Sequence, residues 1–336
     1  MKKEKILIIG AGLSGLYAAL LLEKDYDVVV LEARERIGGR VYSVDGHDMG
    51  PSWVWRHQKH ILQLIESFDL ELFEQYTKGS ALYDAPEGVQ TFSAPPSAPS
   101  YRIKGGIIAL IYALMKRLTV PVHLNEKVLS LEEVSGQIEV KSEKNTYKVA
   151  KVISTLPPRL ACESLSYTPD LSSLVYTQLE SIPTWMGYAA KCVVEYPDAF
   201  WKEEGQSGFT FSHLGPLGEI HDACTAEKNA LFGFVHSYAE YTNLEEDIVA
   251  QMVRLYGEQA SSPSNVVLVD WKKESYTSTS LDAQPLRDHP SYGFNITHFG
   301  EKLLFSGTES AYREGGYLEG ALNAARDTVE KIRSSV

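Results

Sequence analysis

Three glycines near the start of the chain have the spacing G-x-G-x-x-G, which is typical of backbone turns that hold a dinucleotide. Gly10 allows a tight turn, Gly12 lets the backbone approach a pyrophosphate, and Gly15 lets a following helix lie close to the preceding strand. Leu13 and Ser14 lie inside the motif, where the free N–H groups at a helix start would face phosphates. The motif therefore predicts a bound dinucleotide.

A carboxylate follows this motif at the distance that ribose binding requires. Glu32 stands about 20 residues beyond the glycines, where an acidic side chain accepts a hydrogen bond from the ribose 2′-hydroxyl. The same negative charge repels a 2′-phosphate, so the sequence disfavours NADP.

A strand, a helix and a second strand must position these residues. The apolar run 5–9 predicts the first strand, and the Leu- and Ala-rich run 13–23 predicts the helix. Residues 26–31 predict the second strand, with Glu32 at its end. This βαβ start indicates an α/β protein with a Rossmann-like domain.

A second glycine pair indicates which dinucleotide is expected. The run Ala33-Arg34-Glu35-Arg36-Ile37-Gly38-Gly39-Arg40 directly follows Glu32, and nicotinamide dehydrogenases do not need it. It resembles the E-A-R-x-R-x-G-G-R motif of the FAD-dependent amine oxidase family, which includes monoamine, polyamine and L-amino acid oxidases, and the chain looks like a short bacterial-type member. The resemblance implies bound FAD, with Arg40 beside the pyrophosphate. It also implies FAD contacts from the other matching positions, which are Glu32, Ala33, Arg34, Gly38 and Gly39.

Two later segments resemble further parts of the same family. The strand-like segment 120–131 resembles the one that meets the adenine, which assigns Val128 to the cofactor. The runs 307–310 and 315–321 resemble the C-terminal FAD motif of the family. From this motif we expect cofactor contacts from Gly307, Glu309, Tyr317 and Leu318.

A lysine in the middle of the chain is the main candidate for catalysis. Residues 188–196 predict a strand in which Ala189, Lys191 and Val193 share one face. Because lysine is rarely buried unpaired, its place between small apolar residues is unusual. The segment resembles the one in which a family lysine holds a water against flavin N5. The resemblance also implies that an amine binds between Tyr317 and Trp271.

The segment after Trp271 bears on the attachment of FAD and on the substrate. Family members with covalent FAD carry a cysteine where Ser280 stands here, so we expect FAD to be held non-covalently. They also carry a tyrosine, as one wall of an aromatic pair around the amine, where this chain has Leu281. The missing tyrosine leaves the substrate class open.

The resemblance also implies two interleaved domains. The expected FAD-binding domain comprises residues 1–75, 102–165 and 295–336, and the expected substrate domain is a smaller sheet with helices formed by residues 76–101 and 166–294. The chain is shorter than usual members of the family. Those members carry extra helices in the segment that corresponds to 68–101, so we expect a more open pocket here or a partner that completes it.

Composition and charge limit the partners and the location that we expect for the protein. A net charge of −12 argues against nucleic acid as a partner and is typical of a soluble acidic protein, although a negative surface can also attract cationic substrates. Three widely spaced cysteines suggest neither a disulfide framework nor a zinc site, and nine histidines show no metal-ligand spacing, so we expect no metal. The longest apolar runs are too short to span a bilayer, which leads us to expect a cytoplasmic protein with no membrane association.

These observations predict an FAD-dependent oxidoreductase that converts an amine to an imine, with dioxygen reoxidising the flavin to give hydrogen peroxide. An amine and dioxygen are its expected small-molecule partners, and a homodimer is left open. Two alternatives keep the FAD site: a C–C desaturase resembling porphyrinogen oxidases, and an FAD-binding partner protein without turnover. A nicotinamide dehydrogenase is disfavoured, because it would leave Gly38, Gly39, Arg40 and the C-terminal motif unexplained.

Overall fold

The computed structural model describes residues 3–95, 98–237, 239 and 242–335. Residues 1–2 and 336 of the expected FAD-binding domain, and residues 96–97, 238 and 240–241 of the expected substrate domain, lie outside this part. The helices, numbered in chain order, are α1 (Leu13–Leu22), α2 (Lys59–Ser67), α3 (Ile108–Arg117), α4 (Pro158–Ser164), α5 (Ser173–Ser181), α6 (Phe200–Glu203), α7 (Leu244–Tyr256) and α8 (Leu318–Ser334).

The strands are numbered in the same way. The first eleven are β1 (Lys5–Ile9), β2 (Asp27–Leu31), β3 (Ser43–Val44), β4 (His47–Asp48), β5 (Val54–Trp55), β6 (Leu72–Glu74), β7 (Ser80–Ala85), β8 (Gly88–Phe92), β9 (Ser100–Ile103), β10 (Val122–His123) and β11 (Val128–Val134). The others are β12 (Gln137–Ser142), β13 (Thr146–Val149), β14 (Lys151–Ser154), β15 (Ser166–Thr168), β16 (Ala190–Tyr196), β17 (Gln206–Ser212), β18 (Leu217–Asp222), β19 (Asn229–Val235), β20 (Asn265–Asp270), β21 (Thr297–His298) and β22 (Leu303–Phe305).

The first sheet carries the glycine motif. Its six strands lie in the order β10–β2–β1–β14–β22–β21, and neighbouring strands are parallel except for β21 and β22. Ile6 and Ile8 of β1 pack with α1, α3 and α8 on one face, while Leu7 and Ile9 pack on the other face against β11 and β12. Burial on both faces explains the continuous apolar run of β1 and is typical of a parallel sheet.

The second sheet provides a wall for the opposite side of the site. Its seven strands lie in the order β20–β16–β19–β18–β17–β7–β8. Cys192 and Val194 of β16 pack against α7 on one face. Val193, on the alternate face, packs with Met49 and Phe232, so Lys191 lies on this second face as well.

Three smaller sheets complete the fold. They have the orders β13–β12–β11–β15, β5–β9–β6 and β3–β4. β5 pairs with β9, which brings the segment around Trp55 next to Tyr101.

The expected α/β fold with a βαβ start is confirmed, and one strand prediction is wrong. The segment 120–131, expected as one strand, forms β10 in the first sheet and β11 in the four-stranded sheet. Asn125, with a positive φ of 54°, turns the chain between the two strands, and its N–H donates to Arg34 O at 2.8 Å. The division into two discontinuous domains stays a prediction.

Candidate functional site

A cavity of about 810 Å³ extends from the first sheet to the second. Its size is typical of a site for a small molecule or cofactor. The sequence-predicted residues in its lining are Gly10, Gly12, Leu13, Ser14, Glu32, Ala33, Arg34, Gly38, Gly39, Arg40, Val128, Lys191, Trp271, Gly307, Tyr317 and Leu318. Two other predicted residues, Gly15 and Glu309, are not part of the lining.

The glycine motif forms the turn between β1 and α1. Gly10 has a positive φ of 103°, and its N–H donates to Leu31 O at 2.7 Å. A Cβ atom on Gly15 would lie 2.0 Å from Gly10 O, so this glycine is required for the close packing of the helix on the turn. A Cβ atom on Gly12 would meet nothing nearer than 3.8 Å among the described residues. Gly12 therefore leaves space toward the cavity, at the start of α1.

Glu32 is fixed at the end of β2 by backbone groups. Its two carboxylate oxygens accept hydrogen bonds from the N–H groups of Ala11, at 2.8 Å, and Arg34, at 2.9 Å. The residue is buried but lines the cavity. Its carboxylate is thus held rigidly beside the glycine turn.

Two arginines that line the cavity are each paired with a carboxylate. Arg40 Nη1 and Nη2 donate to the two oxygens of Glu309 at 2.7 and 3.0 Å. Burial by itself would lower the pKa of Arg40, but the Glu309 carboxylate raises it above its ordinary value. Arg34 donates to Glu274 at 3.0 Å and to Thr277 Oγ1 at 2.8 Å. Both arginines are therefore fixed cations in the wall.

Lys191 is buried at the cavity wall on β16, with 2% of its surface exposed. Its Nζ donates to Ser52 Oγ at 2.6 Å and to Gly50 O at 3.1 Å, and lies 4.2 Å from the centre of the Phe232 ring. Burial lowers the pKa of Lys191 from 10.5 to about 7, although the Asp48 carboxylate opposes this shift. Lys191 is therefore positioned by two oxygens and is balanced between charged and neutral forms near neutral pH.

Aromatic side chains form much of the remaining lining. Trp271 is held by its Nε1–H, which donates to Met49 O at 2.9 Å. Tyr317 stacks on His289, with ring centres 5.0 Å apart and planes inclined by 2°, and meets Trp55 edge to face at 6.1 Å. Tyr317 and Trp271 thus belong to the same cavity, each with its own support.

Sequence reasoning did not single out several other lining residues. Phe232 and Phe234 lie beside Lys191, and Tyr188, Trp185 and Glu219 extend the wall. An alternation of aromatic residues with smaller ones along β19 was the available signal for Phe232 and Phe234. Glu219 could be assigned to the cavity only once the pairing of β18 with β19 was known.

The structure places Ser280 and Leu281 apart from the cavity lining. They belong to a 3₁₀ turn, Ser280–Asp282, and 52% of the surface of Leu281 is exposed. The lining near Trp271 is formed by Ser275, Tyr276 and Thr277 instead. The position expected for a second aromatic wall is therefore not part of this cavity.

The described part of the chain contains neither a metal-binding cluster nor a membrane-spanning helix. No group of three or more His, Cys, Asp or Glu side chains is arranged to hold a metal ion there. Nor does that part contain a helix with the length and apolar character needed to cross a membrane.

Two known protein families together match most of the chain. The model of the flavin containing amine oxidoreductases matches residues 94–333, and that of an NAD(P)-binding Rossmann-like domain matches residues 8–68. Flavin-containing amine oxidase A of Canis lupus familiaris is 23% identical over 451 aligned positions, which cover 98% of this chain and 85% of that protein. The alignment is longer than the 336 residues of this chain, so the relative has segments that this chain lacks.

Solved structures show the same fold. Putrescine oxidase bound to putrescine has a TM-score of 0.82 at 19% identity, and cyclohexylamine oxidase from Brevibacterium oxydans IH-35A has 0.83 at 17% identity. Each comparison covers 99% of both chains. Together with the family match over more than half of the sequence, this confirms the resemblance found in the motifs: the chain belongs to the family of flavin-containing amine oxidoreductases.

Proposed function

We propose that the protein is an FAD-dependent oxidase that converts a primary or secondary amine to an imine and uses dioxygen as the electron acceptor. The observation that carries this proposal is the single cavity that joins the glycine turn at Gly10 and Gly12 to the buried Lys191. A dinucleotide site and a group able to hold or release a proton near neutral pH thus face one space.

The residues around the glycine turn fit FAD. Gly12 leaves room for a phosphate beside the start of α1, whose free N–H groups favour negative charge. Glu32 is fixed by two backbone N–H groups and would accept a hydrogen bond from a ribose hydroxyl, and Arg40 would supply a cation for the pyrophosphate. Gly307, Leu318 and Val128 complete the lining on the side of β22, α8 and β11.

Non-covalent attachment of FAD is part of the proposal. None of the three cysteines, Cys162, Cys192 and Cys224, is among the described residues that line the cavity. A thiol that forms a bond to the flavin is thus missing from this lining, and Ser280 lies apart from it as well.

Bound FAD would supply the redox chemistry, in which two electrons and a proton leave the amine as a hydride equivalent and both electrons, with two protons, reduce dioxygen to hydrogen peroxide. The chain itself binds and orients the amine between Tyr317 and Trp271, whose faces exclude water. The amine must be neutral to lose hydride, and the charged form of Lys191, which predominates below its pKa of about 7, disfavours a second cation beside it. Lys191 Nζ, positioned by Ser52 and Gly50, would hold a water within the cavity. The imine that leaves is hydrolysed in water to a carbonyl compound and an amine or ammonia.

The test is anaerobic mixing of the FAD-loaded protein with amines, polyamines and amino acids while the visible flavin spectrum is followed. Bleaching by an amine, followed by recovery of the colour and formation of peroxide when air is admitted, is the expected result. Dithionite reduction of the same sample is the control for an accessible flavin. If dithionite bleaches the flavin and no amine does, amine oxidation is excluded for that panel and a C–C desaturase is favoured.

A further inference from the structure

Asp48 stands at the start of the segment that holds Lys191. It is the last residue of β4, two positions before Gly50 and four before Ser52. The Gly50 carbonyl and the Ser52 hydroxyl accept the two hydrogen bonds of Lys191 Nζ, at 3.1 and 2.6 Å. The position of the lysine nitrogen is therefore tied to the backbone that carries Asp48, although Asp48 itself lies outside the cavity lining.

The Asp48 carboxylate is buried and is held by one of its two oxygens. Oδ1 accepts hydrogen bonds from Ser43 Oγ and from the N–H of Ile107 at the start of α3, both at 2.9 Å. A Cβ atom on Gly106 would lie 2.7 Å from the same oxygen, so the turn before α3 packs directly on the carboxylate. Oδ2 is buried and has no hydrogen-bond partner among the described residues. The carboxylate is thus rigidly placed, with one oxygen whose charge no hydrogen bond offsets.

Asp48 acts electrostatically on two buried cations, Lys191 and Arg102, of which Arg102 is 5% exposed. Burial lowers the pKa of Lys191, the negative charge of Asp48 opposes this shift, and the positive charge of Arg102 adds to it. Burial raises the pKa of Asp48, but both cations and the two hydrogen bonds to Oδ1 oppose that rise and favour the ionised form. The anion therefore offsets part of the charge of the two cations.

Other charged groups around this cluster have partners outside it. His47, next to Asp48 in the chain, is bonded through Nε2 to Glu195 Oε1 at 2.8 Å. The same Glu195 oxygen accepts a hydrogen bond from Lys228 at 2.8 Å. On the cavity side, Glu219 Oε1 is bonded to His221 Nε2 at 2.6 Å. Asp48 differs from these two carboxylates because it acts on Lys191 without a cation of its own in hydrogen-bond contact.

We propose that Asp48 is a positioning residue for the reaction and that its negative charge favours the protonated form of Lys191. This rests on the proposed function and deepens it. Without the carboxylate, Lys191 and Arg102 would repel each other in a buried region, where charges are poorly screened. Because arginine does not lose its proton, the repulsion would be relieved by deprotonation of Lys191.

The experiment follows the pH dependence of two flavin rates in the holoenzyme. Stopped-flow absorbance measures anaerobic reduction by butylamine and, separately, reoxidation by dioxygen after reduction with dithionite, from about pH 5.5 to about pH 9.5. The variants are Asp48→Asn, which keeps an acceptor for both hydrogen bonds, and Lys191→Met. Asp84→Asn is the matched control, because it neutralises a buried carboxylate that is paired with Arg254 outside the cavity lining.

We expect at least one rate of the wild type to show an apparent pKa of about 7 that Lys191→Met lacks. Asp48→Asn should lower this apparent pKa by at least about half a pH unit, and Asp84→Asn should leave it in place. An unchanged value in Asp48→Asn overturns the assignment. An equal shift in Asp84→Asn, or identical profiles of wild type and Lys191→Met in both rates, overturns it as well. If no amine reduces the flavin but the reoxidation profile shifts as expected, the proposed function fails and the assignment of Asp48 stands.

A second pair of variants serves if Asp48→Asn does not retain FAD. Arg102→Gln is compared with the double variant Asp48→Asn/Arg102→Gln, in which the carboxylate is lost without leaving two buried cations together. The double variant should again have the lower apparent pKa. Equal values in these two variants contradict the proposal.

Discussion

Arg40 and Glu309, which lie 269 residues apart in the sequence, are joined by two hydrogen bonds of 2.7 and 3.0 Å. The pair connects the segment after β2 to the segment between β22 and α8. Glu309 has no exposed surface, whereas the Arg40 side chain is 28% exposed toward the cavity. Removal of Arg40 therefore leaves a buried charge without its partner, whereas removal of Glu309 leaves a charge that is partly exposed.

Removal of Arg40 should destabilise the protein more than neutralisation of Glu309. Arg40→Met leaves a fully buried carboxylate without its partner, and we expect a loss of about 3 kcal/mol in the free energy of unfolding. Glu309→Gln leaves a cation that still reaches water, so its loss should be smaller. Urea unfolding measures both, with Lys104→Met, from an exposed ion pair with Glu71, as the control. Equal losses for the two variants would contradict this asymmetry.

Substitution by alanine should have different effects at two glycines of the motif. Gly15→Ala places a Cβ atom 2.0 Å from Gly10 O, so we expect a lower urea midpoint for the apoprotein. Gly12→Ala fits without a close contact, and we expect the unfolding free energy to change by less than about 0.5 kcal/mol. Its methyl group occupies space proposed for a phosphate, so FAD titration should give at least a tenfold weaker affinity. Unchanged FAD binding by Gly12→Ala would place the pyrophosphate elsewhere.

Stability should rise with pH because of Lys191. Its pKa is about 7 in the folded protein, through burial, and 10.5 is its ordinary value. Between these values the unfolded chain binds a proton that the folded chain does not, so unfolding becomes less favourable by up to about 1.4 kcal/mol per pH unit. The unfolding free energy of the wild type, minus that of Lys191→Met, should therefore become more positive from pH 7 to pH 10. A constant difference would mean that Lys191 titrates alike in both states.

Lys191 should also affect the chemistry. Lys191→Met removes the group proposed to hold water in the cavity, and we expect slower flavin reduction or reoxidation with FAD still bound. Stopped-flow absorbance measures the two half-reactions separately. Lys148→Met, from a side chain that is 67% exposed on β13, is the control. Rates equal to those of the wild type would remove Lys191 from the mechanism.

The flavin should be released intact on denaturation. With no cysteine in the described cavity lining, acid precipitation should leave all yellow colour in the supernatant and none in the pellet. Added FAD should then restore the spectrum of refolded apoprotein. Colour that stays with the washed pellet would indicate a covalent bond and contradict the proposal.

Local patterns were sufficient to locate the glycine turn and the carboxylate that follows it. Gly10, Gly12, Gly15 and Glu32 act through backbone geometry within one βαβ unit, so their spacing carries the information. Lys191 could be singled out because a lysine on an apolar strand face is itself unusual.

The substrate half depends on long-range pairing that spacing does not encode. Lys191 is hydrogen-bonded to Ser52, which lies 139 residues away in the sequence. Glu219 is brought beside Phe234 only by the register of β18 and β19. Leu281 shows a limit of the resemblance, since it stands where family members carry an aromatic wall, and here 52% of its surface is exposed on a 3₁₀ turn. A one-residue shift in register would have moved Glu219 to the other face of the sheet.

Because α8 packs on α1, the cofactor pocket is completed only late in synthesis of the chain. Leu318, Ala321 and Leu322 of α8 share a core with Leu13 and Leu16 of α1, and Gly307, Tyr317 and Leu318 form part of the cavity wall. A ribosome that has made the glycine turn must still add nearly 300 residues before that wall exists. The pocket is therefore complete only after α8 has been made, and a product that stops before β22 lacks the wall formed by Gly307, Tyr317 and Leu318.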